Sequence, residues 1–178
     1  MADNPDGPFF RRAVPPDREA FLGYIETQRA ALAAARAGSD DAALIETAGS
    51  LGSALFMQEG SEAEAAVLLE EALALSRARG DRATEIDGLL GLGTARQYLG
   101  EREAAVALFD EGLRLCAETG IDGQENFLLH HLGRCLVELG RIGEARAAFE
   151  KALVLRRAIG NARFIRSTEQ ALEALARL

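Results

Sequence analysis

Two adjacent histidines, His130 and His131, two cysteines, Cys116 and Cys135, and the acidic run Glu62, Glu64, Glu70 and Glu71 are the residues best equipped for chemistry in this chain. Neighbouring residues on a helix point about 100° apart, so the two imidazoles do not share one metal, and they read as structural or surface histidines. The glutamates fall on a helical stretch, where such a run is a solvated face rather than a catalytic pair. Two cysteines are too few for a secreted disulfide framework and read as free core thiols. There is no glycine-rich phosphate loop after a strand, no serine elbow and no zinc-ligand quartet. The expectation is therefore a protein that is not an enzyme and carries no cofactor or metal.

The bulk composition narrows the class further. Ala, Leu, Glu and Arg dominate, and all four prolines lie in the first sixteen residues, so nothing downstream interrupts a helix. The fold class is expected to be all-α. With 28 acidic against 20 basic residues the net charge is −8, the wrong sign for neutralising phosphates, which argues against nucleic acid as a partner. No segment approaches the roughly 18–20 apolar residues that span a bilayer, and MADNPDGPFF lacks the charged and apolar regions of a signal peptide. A cytoplasmic protein with no membrane partner is expected. A single lysine, Lys151, among abundant arginine and alanine hints at a bacterial, GC-rich source.

What must position any binding residue is a repeat. Glycines recur at Gly60, Gly100 and Gly140, and again at Gly80, Gly120 and Gly160, both series in steps of forty. The segments QEGSEAEAAVLLEEALALSRARG, YLGEREAAVALFDEGLRLCAETG and ELGRIGEARAAFEKALVLRRAIG align without a gap. Each glycine closes a run of helical periodicity, as a residue able to adopt the left-handed backbone should. The spacing predicts first helices over 42–59, 82–99 and 123–139, and second helices over 62–79, 102–119 and 142–159. Ser61 followed by Glu64 predicts a capping box at the start of the second helix of unit one. On the second helices, Ala65, Ala105 and Ala145 are followed four residues on by Leu69, Phe109 and Phe149, and then by Ala72, Gly112 and Ala152, which makes a buried stripe. Ser53, Gly93 and Gly133 on the first helices would let paired helices approach closely. One pair cannot cover its own apolar faces, so stacked pairs share a continuous core.

The residues Leu132-Gly133 with Leu136, Ala145, Phe149 and Ala152 resemble the tetratricopeptide repeat, as do Leu92-Gly93, Ala105 and Phe109. Unit one matches through Gly52-Ser53, Phe56, Ala65, Leu69 and Ala72. The resemblance covers about 40–160, in the long forty-residue form found in peptide-sensing bacterial regulators and kinesin light chains. It implies a right-handed α-solenoid whose concave groove binds an extended or helical segment. Steps of four, three and one along the first helices align Ser50, Ala54, Met57 and Gln58 with Leu90, Thr94, Gln97 and Tyr98, and with His130, Arg134, Val137 and Glu138. The resemblance implies that this face, with Phe127 either on it or in the core, is the groove. Arg134 and His130 would meet a carboxylate, Gln58, Thr94 and Gln97 a peptide backbone, and Tyr98 and Met57 an apolar anchor. The lysine and asparagine set with which some chaperone-binding members hold a terminal carboxylate is absent. Arg96 replaces the apolar residues Phe56 and Leu136, marking either a solvated spot or a buried ion pair. Charge also divides the array: residues 39–120 carry 16 acidic and 6 basic side chains, and 121–178 carry 7 and 9.

The domain organisation expected is a flexible arm over 1–16 and a single repeat domain over 17–178. That domain comprises an N-terminal helix over 17–38, repeats over about 41–80, 81–120 and 121–160, and a capping helix over 163–178. The cap either only keeps the array soluble or also forms a homodimer surface. The arm's Phe9-Phe10-Arg11-Arg12 either stays free or lies in the groove, in which case deleting 1–14 raises partner affinity. The functional expectation is an adaptor that binds a segment of a protein partner. The alternative is a sensor of a peptide or small molecule, without its own output domain.

Overall fold

The structure, a computed structural model, describes residues 15–178. The described chain holds eight α-helices and no strand: α1 (Arg18–Gly38), α2 (Asp41–Leu55), α3 (Glu62–Arg79), α4 (Arg82–Tyr98), α5 (Arg102–Thr119), α6 (Glu125–Glu138), α7 (Ile142–Ile159) and α8 (Ala162–Leu175). Each helix packs on the next in sequence, and α2, α4, α6 and α8 also meet in succession, giving an all-α solenoid. The arm expected over 1–16 lies outside the described residues, save for Pro15 and Pro16.

Glycine sets the period through its backbone. Gly60, Gly100 and Gly140 take φ of 88°, 83° and 72°, and Gly80, Gly120 and Gly160 take 68°, 72° and 82°, a region that costs a side chain energy. The second series caps α3, α5 and α7, and these helices run over the ranges the spacing predicts. Aspartate and asparagine serve the other ends: Asp17, Asp40, Asp81 and Asn161 accept hydrogen bonds from first-turn amides, a contribution of about 1 kcal/mol each.

Two local expectations fail for visible reasons. The capping box at Ser61 does not form: Ser61 holds the N-cap position without a side-chain bond, and Glu64 reaches across to Arg29 of α1, whose Nη2 donates to its Oε2 at 2.9 Å. Helix α2 ends at Leu55 rather than 59, because Met57 and Gln58 donate to Ala54 and Leu55 in a tightened turn that leads into Gly60.

The core runs through the array as one stripe. Ala65, Ala105, Phe109, Ala145, Phe149 and Ala152 are buried, with Leu69 in the place of the phenylalanine in unit one. The rings dictate the glycines opposite them: a Cβ on Gly93 would stand 2.5 Å from Phe109 Cε1, and one on Gly133 2.7 Å from Phe149 Cε1. The smaller Leu69 is what leaves room for Ser53 at the equivalent place. Cys116 and Cys135 are free and buried within this core, where desolvation pushes both thiols up, Cys135 to about 12. Arg96 resolves as an ion pair: with a side chain 26% exposed, it bonds Glu70 of α3 and, at 2.5 Å, Glu101.

Candidate functional site

The first helices meet in three successive seams, and side-chain volume gives each a different character. Between α4 and α6 the seam is full. Leu89, Phe109 and Leu128 are wholly buried there, and Glu85, its side chain 5% exposed, accepts from Arg77 at 3.1 Å and Arg82 at 2.6 Å. Burial alone would raise the Glu85 carboxyl more than any other single influence, yet the two arginines together hold it below its ordinary range.

Between α6 and α8 the seam is closed by a buried guanidinium. Arg156 donates to Asn126 Oδ1 at 3.1 Å, to the Phe164 carbonyl at 3.1 Å and to Thr168 Oγ1 at 2.7 Å. The rings of Phe127 and Phe164 stand 5.3 and 5.4 Å from it and pack edge to face on each other. Burial lowers the Arg156 pKa to about 10, which still leaves it charged at neutral pH. Phe127, expected on the groove or in the core, is half-buried in this cluster.

Between α2 and α4 the seam is open. Where the next repeat carries Arg82, Leu89 and Leu90, this one carries Ala42, Gly49 and Ser50, and Gly88 stands where Leu128 stands later. The result is a cavity of about 410 Å³ over α3, lined by Glu46, Ser50, Ser53, Ser76, Arg79, Asp81, Thr84 and Asp87. Gly49, Ser50, Ser53 and Asp87 also border a wider cleft of about 760 Å³, walled by Phe21 and Tyr24 of α1, by Phe56 and Met57, and by Leu90, Gln124 and His131. Pro15 and Pro16 stand on its rim. The two spaces make one trough at the N-terminal end of the first-helix layer.

The residues expected to line a groove divide between this trough and the closed seams. Ser50, Ala54, Met57, Leu90 and Thr94 border the trough, and Gln58 lies exposed in the turn after α2. Thr94 and Gln97 are 2% and 1% exposed: Thr94 Oγ1 lies 3.4 Å from His131 Nδ1, and Gln97 Nε2 donates to Glu138 Oε1 at 2.9 Å. Glu138 also accepts from Arg102 Nε at 2.9 Å, and Arg134 Nη2 donates to Tyr98 OH at 3.2 Å, its guanidinium 5.7 Å from the half-buried ring. His130, Arg134 and Val137 are each 7% exposed, and His130 Nδ1 lies 3.3 Å from Thr168 Oγ1. The regular stripe therefore runs from an open surface in unit one into buried polar contacts in unit three. Both histidines are held neutral: desolvation, then His131 and the arginines Arg156 and Arg134, lowers His130 to about 2, and desolvation with the same arginines lowers His131 to about 3. Neither titrates near neutral pH, so neither is poised for acid–base work there.

Phe21, Tyr24, Ser53, Asp87 and His131 border the trough without having been expected to. Asp87 stands one turn before Leu90 on the same face, so extending the stripe towards the N-terminus of α4 would have reached it. Phe21 and Tyr24 belong to α1, which aligns only loosely with the second helices, so the first-helix stripe did not reach them. Among the described residues no group of three or more His, Cys, Asp or Glu is placed to hold a metal, and no helix is long and apolar enough to cross a membrane.

Residues 84–158 match the tetratricopeptide repeat family. No curated protein sequence matches significantly. Among solved structures, BtubC (BKLC) from P. vanneervenii superposes with a TM-score of 0.73 at 20% identity, over 88% of this chain and 65% of that one. A Podosopora anserina protein of nearly identical TPR-like repeats gives 0.59 at 16% identity, covering 92% and 88% of the two chains. A point variant of that Podosopora anserina protein gives 0.60 at 14%, covering 99% and 88%. At these identities the likeness is one of fold.

Proposed function

Because residues 84–158 belong to the tetratricopeptide-repeat family, we propose that this chain is an adaptor that holds a segment of a protein partner in the trough between α1, α2 and α4. Such repeats generally mediate protein–protein interactions and are typically non-catalytic scaffolds. The observation that supports the reading is the open seam between α2 and α4, a concavity with apolar walls and polar groups at its floor. An extended segment would lay alternate side chains against Phe21, Phe56 and Leu90 while its backbone meets Ser50 and Ser53. The reading needs no cofactor and no reaction, and two buried thiols suit a reducing cytoplasm.

Filling the trough tests it. A Cβ on Gly49 meets nothing within 4 Å, so Gly49→Leu can occupy the space without disturbing the core. Ala74 lies exposed on α3, away from the trough, and Ala74→Leu is the control. A partner retained from native lysate by the wild type and by Ala74→Leu, and lost by Gly49→Leu, supports the adaptor. Retention by all three refutes the site.

A second reading rests on the inner cavity, whose 410 Å³ falls within the range of small-ligand sites. There the chain is a sensor that takes a small polar molecule over α3. A rise in melting temperature with such a ligand, abolished by Gly49→Leu, is its signature.

A further inference from the structure

Two buried carboxylates in the closed part of the first-helix layer each meet an arginine. Glu85 is held by Arg77 and Arg82, and Glu138 by Arg102, with the Gln97 amide donating to it as well. The open trough differs. Glu46, Asp81 and Asp87 face the inner cavity together with a single guanidinium, Arg79. Asp81 is committed to the backbone, capping α4 through Thr84 N at 3.1 Å. Asp87 borders both parts of the trough and has no arginine or lysine partner among the described residues. Desolvation, the largest influence on it, pushes its pKa up, and the other groups acting on it are the Gln124 side chain and the Asp81 carboxylate. Asp87 is itself exposed, so its carboxylate is open to a cation carried by a bound segment.

Beside this acidic floor stand three aromatic rings, Phe21, Tyr24 and Phe56, with Met57 and Leu90 between them. We propose that the trough selects a partner segment in which an aromatic residue stands two positions before an arginine or lysine, the ring packing on the α1 and Phe56 wall and the cationic head seated against Asp87. The proposal rests on the adaptor reading and adds the chemistry of the partner to it. Spacing is compatible: residues two apart in an extended segment lie about 6.6 Å apart on one face, and a long basic side chain reaches inward from the wider cleft. Charge then fixes the register of the segment, and the rings supply the apolar contact.

The test is fluorescence anisotropy with two labelled peptides, Ala-Phe-Phe-Arg-Arg-Ala and Ala-Phe-Phe-Glu-Glu-Ala, on the full chain. The arginine peptide should bind at least tenfold more tightly than the glutamate peptide. Asp87→Asn should remove most of that preference. Asp110→Asn removes another carboxylate raised by desolvation, outside the trough on α5, and should leave the preference unchanged. Circular dichroism of each variant confirms the fold. Equal binding of the two peptides, or an arginine preference that survives Asp87→Asn, overturns the proposal. If both peptides bind alike and Gly49→Leu abolishes both, the trough stands as a site and the basic specificity falls. If neither binds while a partner is captured in a manner lost by Gly49→Leu, the specificity falls and the adaptor survives.

Discussion

The α2/α4 and α4/α6 seams are built on the same backbone period and behave oppositely. In the second, Leu89 and Leu128 fill the space and Glu85 is neutralised by two arginines. In the first, Gly49 and Gly88 take the corresponding positions and the space stays open. Side-chain volume at a few aligned positions thus decides between a filled seam and an open trough while the helices keep their places. The open seam keeps the neighbour contacts along the array that stabilise it.

Exchanging the decisive residues gives the largest effect. Leu89→Ala empties the closed seam and should destabilise the chain by about 2–5 kcal/mol, read as a fall in the denaturation midpoint. Acid should then act on the closed seams. His130 titrates at about 2 when folded against about 6.5 when unfolded, so the unfolded chain takes up the proton first. Stability is complete above pH 6.5 and falls as the pH drops towards 2, by about 1.4 kcal/mol per pH unit for this one group. Melting temperature against pH should fall at least that steeply, and His130→Gln should reduce the slope to the part that His131, lowered to about 3, contributes.

Crowding between paired helices comes next in size. Gly93→Ala drives a Cβ into Phe109 and should cost about 1–3 kcal/mol. The reverse sign marks the open seam: Gly49→Ala meets open space and should stabilise by about 0.5–1 kcal/mol through helix propensity. If Gly49→Ala destabilises as much as Gly93→Ala, the two seams do not differ in packing as described.

Much of this was legible in the residues. The glycines at forty-residue steps fixed α3, α5 and α7 because a left-handed backbone leaves a signature in residue type. The stripe through Ala105 and Phe109 exposed the core because helical periodicity records burial. The site was less legible. Thr94, Gln97 and His130 are polar residues at regular spacing, which reads equally as a wet groove or as a buried polar seam. What distinguishes the two is the identity of residues 37–41 positions away: His131, Glu138 and Thr168. Ser61 shows the same limit at short range, since its capping box gives way to a contact between Glu64 and Arg29 of another helix. Local pattern records which face a residue occupies, and only the packed array shows what covers that face.

The most direct test of the open seam is amide chemical-shift mapping of the isotopically labelled chain as its captured partner segment is titrated in. The account predicts perturbations centred on Gly49, Ser53, Asp87 and Leu90, with Phe21 and Tyr24 following. Perturbations centred instead on α7 and α8, with those residues unmoved, would contradict it.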